Sequence, residues 1–168
     1  MDKSKIIRDA ATVILIRDKA TRPQVLMGQR GAKAAFMPNK FVFPGGAMDA
    51  TDAHVPLADA GAEPCLTRLG EHADASKAQA LLVAAIRELW EETGQILGEA
   101  GTWSGDIPAD WQSFADAGFI PSAKGMSFVF RAITPKGRPR RFDARFFAVD
   151  ADKLKTDVDD FSRASDEL

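Results

Sequence analysis

Residues 76–94, SKAQALLVAAIRELWEETG, form the stretch that decides the fold of this chain. Ser76 and Gln79 fit a capping box at the start of a helix. Alanine and leucine, which favour helix, fill the interior, and Gly94 stands where a left-handed residue ends many helices. The sequence therefore predicts one helix from Ser76 to Gly94.

The predicted helix has one apolar face and one acidic face. The apolar face repeats at spacings of three and four residues: Leu82, Ile86, Leu89 and Thr93. Glu88, Glu91 and Glu92 fall within about 100° of arc on another face. Like charges at these spacings cost roughly 0.2 to 0.5 kcal/mol per pair, and acids in the last turn oppose the helix dipole. A bound cation would offset both costs; the alternative is a solvated acidic face on which Arg87 pairs with Glu91.

Composition limits the classes of function. The 168 residues are 45% hydrophobic and 27% charged, as in one ordinary globular domain. The net charge of −2 offers no general attraction for nucleic acid or for an anionic membrane, so we expect neither as a partner. Cys65 is the only cysteine, which excludes an intrachain disulfide. The apolar run near the N-terminus is short for a signal peptide, and we expect a cytoplasmic location.

Short aromatic and β-branched runs predict the strands, which are Ala11–Ile16, Gln24–Met27, Phe41–Phe43, Met126–Ile133 and Arg141–Val149. The last two should form a hairpin. Pro44, Gly45 and Gly46 predict a sharp turn after the third strand, where another group can approach the backbone. Shorter helices are expected at about 57–69 and 108–117. Strands on both sides of a long helix indicate an α/β (α+β) sandwich.

Two further groups of charged residues are candidates for binding. Asp49 and Asp52 could touch a metal ion, although solvated loop carboxylates are the favoured interpretation. The connection between the last two strands is basic, and its cations are Lys136, Arg138, Arg140, Arg141 and, further on, Arg145. The planar fork of arginine donates two hydrogen bonds to a phosphate at once. An exposed basic hairpin is the alternative.

The glycine pair and the helix together resemble the Nudix box, a glycine followed by R-E-U-x-E-E-x-G, in which U is apolar. Arg87 to Gly94 match the second half, with Leu89 as the apolar residue. Gln95 stands where another apolar residue is usual. Gln79 stands where the first glutamate of the box is expected, and it is explained instead as the cap partner of Ser76. The box is interrupted, with an insertion at about 49–75.

Other runs are similar to the Nudix subgroup that contains the mammalian peroxisomal coenzyme A diphosphatase. These runs are Gln29 to Lys33, Phe36 to Pro38, Phe43 to Gly46, Asp49 to Asp52, Thr134-Pro135, Arg140 to Asp143 and Phe146-Phe147. The resemblance implies a single Nudix domain over residues 1–168, built as an α/β/α sandwich with a mixed sheet. The expected last strand and closing helix would then be missing after Ser165 to Leu168.

The resemblance implies metal-dependent cleavage of a nucleoside diphosphate linked to another group. Mg²⁺ or Mn²⁺ would be held by Glu88, Glu91 and Glu92 and by a carbonyl of the Gly45-Gly46 pair. Arg87 would orient a glutamate through a salt bridge. The general base would be Glu88, Glu91 or Glu167. The candidates for the substrate phosphates are Arg30, Arg141 and Arg145, with structural pairing as the alternative for Arg30 and Arg145.

Coenzyme A or an acyl derivative is the first substrate expected from this resemblance. ADP-ribose, NADH and dinucleoside polyphosphates are the alternatives within the same enzyme class. A Nudix-like module that binds a nucleotide without cleaving it is the alternative of another class, although the complete set of Glu88, Glu91 and Glu92 argues against it. The sequence leaves a homodimer open.

Overall fold

The structure, a computed structural model, describes residues 6–32, 38–72 and 74–164. Its strands are β1 (Ile7–Arg17), β2 (Gln24–Val25), β3 (Gly28–Gln29), β4 (Phe41–Val42), β5 (Gly45–Ala47), β6 (Gly98–Ala100), β7 (Phe119–Pro121), β8 (Ser127–Ile133) and β9 (Arg141–Asp150). Its α-helices are α1 (Cys65–His72), α2 (Ala78–Thr93) and α3 (Gln112–Asp116). Short 3-10 turns lie at Ala50–His54, Ala75–Lys77, Ala109–Trp111 and Ala151–Lys153. Glu167, Lys33, Phe36 and Met37, named above, lie outside the described residues.

The main sheet is built around β1. One edge of β1 pairs in parallel with β9, from Ile7 opposite Arg141 to Ile16 opposite Asp150. Its other edge pairs antiparallel with β2 and, nearer the start of the strand, with β5. β8 pairs antiparallel with β9, which confirms the predicted hairpin. The result is the expected mixed sheet in an α+β fold, accompanied by the two-stranded pairs β3–β4 and β6–β7.

Helix α2 covers one face of this sheet and confirms the main sequence prediction. Its apolar stripe is buried, and the helix ends at Gly94, whose φ of 72° is left-handed. The core face of the sheet carries Val13, Phe128 and Phe147, all at most 2% exposed. On the opposite face the Phe130 and Phe146 rings stack with centroids 4.2 Å apart, and Phe130 is 46% exposed.

The predicted capping box of α2 is wrong. A 3-10 turn precedes the helix, and the Asp74 carboxylate accepts a hydrogen bond from the Ser76 backbone N–H within that turn. The helix itself begins at Ala78, and Gln79 Nε2 donates to the Val55 carbonyl at 3.0 Å. Gln79 therefore ties the helix to the preceding loop instead of capping it.

Two further predictions need correction. Gly45–Ala47 is a strand rather than a turn, since it pairs with residues 10–12 of β1. A Cβ atom at Gly45 would lie 2.7 Å from Thr12 Cα, so the pairing requires a glycine there. The helix expected at about 57–69 begins only at Cys65, because Pro64 disfavours helical geometry in the residue before it. Within the described ranges, no helix is long and apolar enough to cross a membrane.

Candidate active site

The acidic face of α2 lies directly against β5. The Gly45 N–H donates a hydrogen bond to Glu92 Oε2 at 2.8 Å. A Cβ atom on Gly46 would overlap the carboxylate group of Glu88. The missing side chain of Gly46 therefore lets the backbone of β5 reach Glu88, which is the close approach that the sequence predicted for this pair. Gly45 contributes its N–H, and its own missing side chain makes room for β1.

Arg87 stands at the centre of these carboxylates. Its Nε and Nη2 donate to the two oxygens of Asp52, at 3.0 and 3.2 Å. Its Nη1 donates to Glu88 Oε1 at 2.9 Å and to Glu91 Oε2 at 3.0 Å. Its Nη2 also donates to the Ala47 carbonyl at 2.9 Å, so the guanidinium joins β5 to the helix. This buried guanidinium therefore bonds two of the three glutamates of the acidic face.

Asp52 is the site residue that sequence reasoning missed. The prediction of a solvated loop carboxylate is wrong for Asp52, because this residue is fully buried. Its Oδ2 also accepts a hydrogen bond from the Asp49 N–H at 2.8 Å. Asp52 thus supplies a buried acidic partner for Arg87. The signal for Asp52 in the sequence is that it follows the Gly45-Gly46 pair closely, although it lies far from the helix along the chain.

The site holds more negative charge than Arg87 can balance. The guanidinium pairs with three carboxylates, those of Asp52, Glu88 and Glu91. A fourth, on Glu92, accepts a hydrogen bond from the Gly45 N–H. Burial raises the pKa of Glu88 to about 7; Arg87 opposes this shift, and the nearby charges of Glu91 and Asp49 add to it. Burial also raises the pKa of Glu91, again against the effect of Arg87. A cation bound here would lower the cost of keeping these groups ionised.

The arginines proposed for substrate binding have different surroundings. Arg145 is only 3% exposed, and its Nη1 pairs with Asp9 Oδ1 at 2.6 Å and with Asp143 Oδ1 at 3.2 Å. The structural pairing considered for Arg145 is therefore present, and we do not retain it for phosphate binding. Arg141 Nε donates to the Thr134 carbonyl at 3.1 Å. Arg30 lies beside the β3–β4 pair, where its backbone N–H donates to the Lys40 carbonyl.

Comparison with known proteins identifies the family. The model of the NUDIX domain matches residues 7–162. This chain belongs to the Nudix family. It is 34% identical over 154 residues to a Caenorhabditis elegans protein provisionally named nudix hydrolase 7, and the match covers 84% of this chain and 44% of that protein. The chain thus spans less than half of the length of this relative.

A solved Nudix structure supports the fold as well. The crystal structure of a NUDIX hydrolase from Alicyclobacillus acidocaldarius matches with a TM-score of 0.63 and 30% sequence identity. The match covers 86% of this chain and 70% of that one. The mixed sheet and the helix that carries the box therefore have a counterpart in an experimental Nudix structure.

The donors around this Nudix box fit a hard divalent cation. Carboxylate and carbonyl oxygens are the ligands that Mg²⁺ and Mn²⁺ prefer, and the side-chain space of Gly46 is filled by the Glu88 carboxylate. In the described part of the chain, no three acidic, histidine or cysteine side chains already converge on a common point. Arg87 bonds Glu88 and Glu91 in this arrangement. Arg87 engages Oε1 of Glu88 and Oε2 of Glu91, so an ion would be coordinated by the second oxygen of each carboxylate.

Proposed function

We propose that this Nudix protein hydrolyses the phosphoanhydride bond of a nucleoside diphosphate linked to another group, with Mg²⁺ or Mn²⁺ as cofactor. The observation that carries the proposal is the close approach of Gly45 and Gly46 to Glu88 and Glu92. This approach brings the backbone of β5 against carboxylates of α2, next to a buried guanidinium. Carboxylate and backbone carbonyl oxygens suit a cation that neutralises phosphate charge.

Each residue of the site has a proposed role. Glu88, Glu91 and Glu92 would hold the ion together with a carbonyl of the Gly45-Gly46 pair. The ion would neutralise charge on the phosphate oxygens and favour deprotonation of water. Arg87 keeps Glu88 and Glu91 on the side of the helix that faces β5. Its own position is fixed by bonds to other parts of the site, so we assign it an orienting role.

The proton acceptor and the phosphate contacts complete the proposal. Glu88 and Glu91 are proposed as acceptors because they lie in the site, and Glu167 remains a third candidate. Arg30 and Arg141 are proposed to bind the substrate phosphates. Among the described residues, Arg30 Nε is a buried donor for which no hydrogen-bond acceptor is found. A phosphate oxygen would satisfy such a donor.

Coenzyme A or an acyl-coenzyme A is the first substrate we propose, with ADP-ribose, NADH and dinucleoside polyphosphates as alternatives. This preference rests on the sequence resemblance around Thr134-Pro135 and Arg140 to Asp143. Thr134 and Phe142 also stabilise the β8–β9 hairpin, because the Phe142 N–H donates to Thr134 Oγ1 at 3.0 Å. A panel of these compounds is therefore needed to decide which of them is the substrate.

The test is an incubation with Mg²⁺ or Mn²⁺ and each of these compounds, with products identified by mass spectrometry. We expect metal-dependent cleavage of at least one compound at its diphosphate and loss of cleavage in Glu92→Gln. The alternative is a module that binds a nucleotide without cleaving it. Saturable binding with no product from any compound would favour that module.

A further inference from the structure

A cleft opens beside the proposed metal site, between the β1–β2 edge and the segment that follows β9. Its volume is about 120 Å³. Leu15, Val25 and Leu26 form one wall, and Val158 and Phe161 form the other. Val25 is 48% exposed and Phe161 is 40% exposed, so both walls present apolar surface to solvent. The volume lies below the roughly 300 Å³ of pockets that enclose a whole ligand, so the cleft admits one fragment.

Gln95 fixes the wall that carries Phe161. This side chain is fully buried, and its Nε2 donates to the Asp157 carbonyl at 3.1 Å and to the Asp160 carbonyl at 3.0 Å. Its Oε1 accepts a hydrogen bond from Thr156 Oγ1 at 2.6 Å. Both ends of the segment before Phe161 are therefore tied to the residue that follows Gly94. An apolar side chain, which is usual at this position of the box, offers none of these bonds.

The cleft and the acidic site are joined along both walls. On the first wall, Thr12 of β1 pairs with Gly45 of the acidic site. Further along the same strand, the Leu15 carbonyl accepts a hydrogen bond from the Leu26 N–H in the cleft. Thr12 and Leu15 lie about 10 Å apart along one strand, at roughly 3.3 Å per residue. On the other wall, Gln95 follows shortly after Glu92. The cleft is therefore within the reach of a nucleotide whose phosphates lie at the glutamates.

The lining of the cleft suits a flat ring with polar edges. Apolar side chains stand on both walls, and one of them is aromatic. The rim is polar, because Gln24 Oε1 accepts from Arg17 Nη2 at 2.9 Å and Asp159 lies at the opening. A nucleobase offers faces that stack on such walls and edges that hydrogen bond to such a rim. Arg17, the cation of this lining, already pairs with Asp159 and Gln24, so a charged phosphate would meet mainly apolar surface.

We propose that this cleft receives the base of the nucleotide substrate, and that Gln95 is a positioning residue that holds the wall carrying Phe161. The proposal rests on the proposed function, because it assumes phosphates at the acidic site. It assigns specificity for the base to residues outside the Nudix box helix. It also gives a physical reason for a glutamine at position 95.

The test compares binding of AMP, GMP and CMP with binding of ribose 5-phosphate, by calorimetry in the presence of Mg²⁺. We expect at least one nucleotide to bind about tenfold more tightly than ribose 5-phosphate, as stacking of one base provides. Phe161→Ala should remove this preference and leave the affinity for ribose 5-phosphate unchanged. Gln95→Glu keeps the acceptor for Thr156 and loses the donors to the segment, so it should reduce the preference in the same way.

Ile133→Ala is the matched control, because Ile133 is an exposed apolar residue of β8 on another part of the sheet. With a cleaved substrate, Phe161→Ala should raise KM about tenfold and leave kcat unchanged. Equal affinities for all four compounds in the wild type, or a preference that survives in Phe161→Ala, would overturn the proposal. A base-dependent preference without hydrolysis of any compound would support the cleft and contradict the proposed enzyme. If Gln95→Glu fails to fold, Phe161→Ala still decides the role of the cleft.

Discussion

Arg87 is the shared hydrogen-bond and ion-pair partner of three acids of the site. Asp52 occupies its Nε and Nη2, and Glu88 and Glu91 share its Nη1. Asp52 is buried and cannot exchange this partner for water. Removing one partner of such a pair leaves a buried charge without compensation, at a cost of about 3 to 5 kcal/mol.

We therefore predict that Asp52→Asn lowers the free energy of unfolding by about 3 kcal/mol, measured by urea denaturation. Asp49→Asn is the control, because the Asp49 side chain is 50% exposed and its Oδ2 lies 3.6 Å from Arg87 Nη2. That control should cost less than about 1 kcal/mol. Similar losses of unfolding free energy in the two variants would show that the buried Asp52–Arg87 pair contributes no more to stability than the exposed Asp49.

Asp9 gives a pH-dependent prediction away from the acidic site. Burial favours a higher pKa for Asp9, but hydrogen bonds from Lys77 and Arg145, with their charges, outweigh it and lower the pKa below 3.8. The stabilisation is therefore complete above the unfolded pKa and is lost as the pH falls through the folded pKa. Asp9→Asn should cost about 2 kcal/mol at pH 7 and clearly less at pH 3.

Urea denaturation at the two pH values measures this difference. Asp106→Asn is a suitable control because Asp106 is exposed. It should change stability little at either pH. A loss in Asp9→Asn that is the same at pH 3 as at pH 7 would contradict the ion-pair explanation, since a purely steric effect has no reason to follow protonation.

The two elements that form the site, β5 and the second half of α2, depend on their close approach. Gly46→Ala places a methyl group where the Glu88 carboxylate lies. We predict that this change weakens Mn²⁺ binding about tenfold, as loss of support around a metal ligand does. Calorimetric titration with Mn²⁺ measures the effect.

Gly70→Ala is the control for this prediction, since a Cβ at Gly70 in α1 meets no described atom within 4 Å. It should leave Mn²⁺ affinity unchanged and stabilise the helix by up to about 1 kcal/mol. Unaltered Mn²⁺ affinity in Gly46→Ala would show that the glycine pair does not shape the metal site.

At the scale of the whole molecule, metal binding should stabilise the fold. A ligand that binds only the folded state adds about 2.7 kcal/mol at 100 times its Kd. We predict that Mg²⁺ or Mn²⁺ raises the unfolding free energy of the wild type by this amount and leaves a Glu91→Gln, Glu92→Gln double variant unaffected. Denaturation with and without metal measures it. Equal stabilisation of both proteins would place the ion elsewhere.

The parts of the fold with local signals were predictable from sequence. Gly94 ends α2 because a left-handed residue is needed there, and the apolar stripe of the helix places one face in the core. The β8–β9 hairpin has two strong strand patterns on either side of a turn. The glutamates of the acidic face and the glycine pair of β5 were likewise named from their spacing.

The remaining features depend on contacts between distant parts of the chain. Asp52 looks like any loop acid until the fold places it beside Arg87, 35 positions later in sequence. Gly45 forms a strand only because β1 offers a free edge there. Gln79 fits the sequence pattern of a capping box, but its side chain bonds the Val55 carbonyl instead. Periodicity and composition contain none of this information.

The parallel pairing of β1 with β9 has a consequence for how the protein is made. Ile7 leaves the ribosome before its partner Arg141, which lies 134 residues later in the sequence (141 − 7). At 5 to 20 residues per second, this delay is on the order of ten seconds. During that time the nascent β1 strand has apolar side chains and no β9 to pair with. We therefore expect chaperone contact during synthesis to concentrate on this first strand.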